Sequence, residues 1–104
     1  MRRLRRAADF IARARQIVRA RALTHGAPSS NHRNIALLWE AYLSIRRNGR
    51  TAPLSAEDAA AMLALLKLAR MHTGSFNPDD DIDLIGYGGV LAEIRQQMFG
   101  AASA

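Results

Sequence analysis

The stretch that most restricts the fold is Ser55 to Met98, SAEDAAAMLALLKLARMHTGSFNPDDDIDLIGYGGVLAEIRQQM. Ser55 followed by Asp58 is a capping box, with Leu54 placed for a hydrophobic staple, so a helix starts near Ala56. From Ala59 to Met71 only Lys67 and Arg70 are charged, and Met62, Leu63, Leu65, Leu66, Leu68 and Met71 spread apolar surface almost all round. Such a helix is expected to be wrapped by others. Gly74 supplies a left-handed stop, and Asn77-Pro78 followed by Asp79, Asp80 and Asp81 supplies cap, first-turn proline and dipole-matched acids for the next helix, to about Phe99. The expected unit is an antiparallel helical hairpin. Its second helix carries Gly86, Gly88 and Gly89, which cost roughly 3 kcal/mol in helix propensity. Close packing at Gly88 or Gly89 would offset that cost, and a kink or a ligand approaching the backbone is the other reading.

Upstream, Arg2 to Ala22 reads as an uninterrupted helix with Leu4, Ala8, Ile11 and Val18 on a narrow stripe. It can pack on the body or extend from it as an arm. His25 to Ser30 turns the chain. A second helix, capped by a serine or Asn31 and closed by Gly49, carries Ile35, Leu38, Trp39, Tyr42 and Ile45 as its expected buried stripe. There is no strand pattern and no solenoid repeat, and Ala101 to Ala104 reads as a short flexible tail. The fold class is all-α, about four helices. Residues 1–23 form a basic N-terminal helix, and residues 24–104 form a helical core and oligomerisation domain. At 104 residues the chain buries only a modest core alone, which favours subunit association.

Charge is the main functional signal. Residues 1–21 hold Arg2, Arg3, Arg5, Arg6, Arg13, Arg15, Arg19 and Arg21 against Asp9, a net +7. The remainder is close to neutral, at −1. Guanidinium groups pair well with phosphate oxygens, so these eight arginines are the candidate DNA contacts, with binding that ignores sequence and weakens with salt. No base-reading pattern accompanies them. The plainer readings are a solvated face, an acidic protein partner or an anionic membrane surface. No cysteine is present, which excludes disulfides and thiolate chemistry. The lack of a long apolar run favours a soluble, cytoplasmic protein without membrane association.

Asp79, Asp81 and Asp83 match the opening of a calcium loop, but Leu84 stands where its glycine belongs and Val90 where its closing glutamate belongs. A magnesium-dependent nucleotide pyrophosphohydrolase using Asp80 and Asp83 is a rival function, yet no Glu-x-x-Glu pair exists and Glu57 and Asp58 lie at the far end of the hairpin. Helix capping explains the acids without a metal, and pairing with Lys67 and Arg70 explains Asp81 and Asp83. His25, His32 and His72 read as dispersed surface or turn residues, and Trp39 and Tyr42 as core.

Two resemblances remain. The residues His25-Gly26-x-Pro28-x-x-Asn31-x-x-x-Ile35-Ala36-x-Leu38-Trp39-x-Ala41-Tyr42-Leu43, then Leu66-Lys67-x-Ala69-Arg70, then Asp80-x-x-Asp83-x-x-Gly86-Tyr87 resemble a helical domain of tailed-phage genomes, over residues 24–98. With its arginine-rich first helix, the chain also resembles the small terminase subunit of phage-derived gene transfer agents. That resemblance implies a non-enzymatic, ring-forming homo-oligomer without cofactors that engages double-stranded DNA and presents it to the large terminase subunit. Small terminases usually carry a helix-turn-helix domain, whose place one basic helix takes here.

Overall fold

A computed structural model describes residues 4–103, with side chains described for 4–100. The described chain is all-α, with four helices: α1 (Ala7–His25), α2 (Pro28–Arg46), α3 (Ala56–Met71) and α4 (Pro78–Ser103). The start of α3 is the expected box: Asp58 N donates to Ser55 Oγ at 3.1 Å, and Ser55 N donates to Asp58 Oδ2 at 2.9 Å. Asn77 opens α4 by accepting from Asp79 N at 3.0 Å. The interhelix stops at Gly26, Gly49 and Gly74 all have positive φ, where glycine meets no Cβ penalty.

Three ends differ from expectation. Asp9 Oδ2 accepts from Arg5 N and Arg6 N at 3.2 and 3.0 Å, which sets the start of α1 at Ala7 rather than Arg2. The expected serine or Asn31 cap of α2 is replaced by Pro28 at its first position, where the missing N–H costs nothing. At the other end of the chain, α4 continues through 101–103, where a flexible tail was expected.

The α3–α4 hairpin is antiparallel, with an ion pair at each end. Lys67 Nζ lies 3.0 Å from Asp83 Oδ2, and Arg95 Nε lies 3.5 Å from Glu57 Oε1. Ile82 and Ile94 are buried along α4 at 3% and 1% exposure, while Ala59 and Ala60 on α3 are fully buried. These alanines let helix backbones approach closely, and each buried isoleucine contributes about 1.5–3 kcal/mol. α2 packs on α3, and Glu40 Oε1 holds the connecting loop by accepting from Leu54 N at 2.7 Å. α1 packs on the body, antiparallel to α4, and only grazes α2.

The expected α2 stripe is corrected. Its buried residues are His32 and Ala36, whereas Leu38, Tyr42 and Ile45 are 71%, 61% and 80% exposed. Nor is α3 wrapped: Met62, Leu65 and Leu66 stand exposed along one side. Small residues sit at the helix crossings and turn the bulky ones outward. The accessible surface is 7828 Å² for an 11.4 kDa chain. Monomeric proteins of this mass expose about 5,800 Å². The radius of gyration, 15.7 Å, likewise exceeds the about 13 Å of a closed domain of this length.

The close approach expected at Gly88 or Gly89 occurs instead at Gly86, where an added Cβ would lie 3.3 Å from Val18 Cγ2 of α1. Gly88 and Gly89 face open space. Gly86→Leu is therefore expected to destabilise the chain by about 1–3 kcal/mol. Gly88→Ala and Gly89→Ala should each add about 0.5–1 kcal/mol by restoring helix propensity. Urea denaturation checks both, and a reversed ranking would contradict this packing of α1.

Candidate nucleic-acid interface

α1 has a seated side and a free side. Ala14 is buried and Phe10, Ile17 and Val18 are half-buried towards the body. At 100° per residue Arg15 and Arg19 point the opposite way. Arg5, Arg6, Arg13, Arg15 and Arg19 are all exposed, and none forms an ion pair among the described residues. Arg2 and Arg3 lie outside the described residues. From Arg6 to Arg19 the helix rises about 20 Å, and that length of duplex axis carries roughly a dozen phosphates. Like charges four residues apart, as in Arg15 and Arg19, cost an isolated helix a few tenths of a kcal/mol, roughly 0.2–0.5. Asp9, in the first turn, is the one acid of the helix.

Arg21 differs from the other five. It is turned to the seated side, with Nη2 3.5 Å from Asp83 Oδ1. Lys67 holds the other oxygen of Asp83, as expected, and the two side chains are only 12% and 16% exposed. Asp83 thus joins α1, α3 and α4, and its charge is already met by two cations. The described residues include no group of three or more histidines or acids able to hold a metal ion. Arg70 makes no ion pair among the described residues.

His25 and His72 are exposed as expected, but His32 is not a surface residue: it is 5% exposed, and Tyr87 meets it edge to face with ring centroids 6.4 Å apart. Several motif residues that carry the tailed-phage resemblance come together here. His25, Pro28, Asn31 and Ile35 line one side of a cavity of about 360 Å³, and Gly86 and Tyr87 line another. The available signal was the shared recurrence of these residues in the motif, since no local spacing relates α2 to α4.

A family model described as a domain of unknown function, DUF6378, matches residues 9–102. The chain is 37% identical over 75 residues to the "Gene 55 protein" of Mycobacterium phage L5, covering 72% of this chain and 44% of the relative. It is 30% identical over 73 residues to the "Gene 55 protein" of Mycobacterium phage D29, covering 70% and 44% respectively. The chain thus spans less than half the length of these curated relatives. No solved structure matches it. Among the described residues no helix is long and apolar enough to cross a membrane.

Proposed function

The chain belongs to the DUF6378 family and is similar to the two phage proteins named above, and from that premise we propose that it is a non-enzymatic DNA-packaging adaptor of the small-terminase type. In this reading α1 grips double-stranded DNA by its phosphates, and the apolar faces of α2 and α3 join copies of the chain into a ring that presents the DNA to a large terminase. The observation that carries the reading is the set of five outward arginines with no ion-pair partner among the described residues. The surplus of about 2,000 Å² over a monomer of this mass supports assembly. The magnesium pyrophosphohydrolase reading is weakened by Asp83, whose oxygens are taken by Lys67 and Arg21.

Five phosphate contacts give log K against log salt a slope of about −4.5, or about a 500-fold loss of affinity between 50 and 200 mM salt. Fluorescence anisotropy on duplexes of unrelated sequence should return that slope for each of them. A flat salt response rejects phosphate gripping. Tight binding to an acidic polypeptide, with none to DNA, favours instead a regulator that binds an acidic protein through the same arginines.

A further inference from the structure

The cavity behind α1 has the chemistry of a ligand site, and it uses none of the five outward arginines. Its lining is apolar at Val18, Ile35, Leu63 and Val90, and Gly86 also lines it. Its volume of about 360 Å³ falls within the roughly 300–1,000 Å³ of small-molecule sites. Two cationic or protonatable groups, Arg21 and His25, stand on one side of it.

His32 provides the directional group. Its Nδ1 lies 2.8 Å from the Pro28 carbonyl oxygen, and a carbonyl only accepts, so Nδ1 carries a proton. In the neutral ring Nε2 is then a lone-pair acceptor, and this buried atom has no hydrogen-bond partner. Buried polar atoms are nearly always paired, so an unpaired one, closed to solvent in a ring that lines a cavity, is one that a donor entering with a ligand would satisfy.

We propose that this cleft binds a nucleoside monophosphate. The base lies between the apolar walls and Tyr87, and its imide or amino N–H donates to His32 Nε2 after a small tilt of the ring. The phosphate sits against Arg21 and His25. Arg21 is free to serve because Lys67 keeps Asp83 neutralised when Arg21 turns away, and the Arg21 side chain is already 51% exposed. A flat ring carrying a donor at one end and an anion at the other is the ligand class that meets apolar walls, a buried acceptor and rim cations together.

The test uses the full chain labelled with ¹⁵N and titrated with the common nucleoside monophosphates, the matching nucleosides and inorganic phosphate. At least one monophosphate should move the His32 Nε2 resonance and saturate below about 1 mM. His32→Phe should weaken that binding by about tenfold or more, the worth of one buried hydrogen bond. His25→Gln, at an exposed position that keeps the Arg21–Asp83 tie, should weaken binding of the monophosphate but not of the nucleoside. No saturating shift at His32 overturns the proposal, as does equal binding by folded His32→Phe. Inorganic phosphate reproducing the whole response also overturns it, because that result describes surface arginines only.

Discussion

Replacing Arg5, Arg6, Arg13, Arg15 and Arg19 together by glutamine lowers affinity for duplex DNA by at least about a hundredfold and flattens its salt dependence, because non-specific binding is almost wholly counterion release. The fold should survive. Glutamine matches arginine in helix propensity, all five side chains are exposed, and the bonds to Asp9 come from the backbone amides of Arg5 and Arg6. Circular dichroism and electrophoretic mobility on the same samples check both halves. Arg21→Gln provides the contrast: its side chain ties α1 to Asp83, so its loss should loosen α1 and leave the salt slope near the native value. If the fivefold variant binds as well as the native chain, α1 is not the DNA contact, and the assignment of these residues fails.

The second large effect concerns assembly. Leu38, Ile45 and Leu65 are 71%, 80% and 61% exposed, and burial of each at a subunit contact contributes about 1.5–3 kcal/mol. Changing all three to glutamine should raise the dissociation constant of the assembly by about a hundredfold or more, even if only part of that energy is realised. Sedimentation velocity at micromolar concentration should show the native chain associated and the variant monomeric. The surplus area per chain, about 2,000 Å², is on the scale that obligate homodimers bury. A native chain that sediments as a monomer would remove self-association. The exposed stripe would then await another partner, such as additional chain of the kind that makes the phage relatives longer.

The parts of this fold that could be read in advance rest on chemistry between near neighbours in sequence. Ser55 with Asp58, and Asn77 with Pro78, act within one helical turn, so residue identity and spacing locate both starts. Lys67 with Asp83 follows from hairpin geometry once those starts are known. The faces of α2 and α3 were not legible for a physical reason. Apolar residues are spread widely around both helices, and the crossings are chosen by Ala36, Ala59 and Ala60, which add little to any periodic signal. The same holds for the three glycines, since only the register of α1 on α4 distinguishes Gly86 from Gly88 and Gly89. Among the arginines, Arg21 falls about 20° from Phe10 around α1, on the seated side, whereas Arg15 and Arg19 lie far from it. That angle is computable from sequence, but its meaning requires knowing that Phe10, Ala14 and Ile17 form the seat. His32 was missed because nothing local shows that its ring lies under α4.

The way α1 is fastened has a consequence of its own. Val18 against Gly86, the buried Ala14, the half-buried Phe10 and Ile17 and a shared carboxylate hold it, while the stack of α2, α3 and α4 keeps its own isoleucine and alanine core. Segments with few buried contacts open at lower free energy than the whole molecule. With Ala14 its one buried residue among those described, α1 is expected to open before the stack of α2, α3 and α4, so that under the proposed function the basic limb would be lent to a polyanion without dismantling the scaffold that carries it.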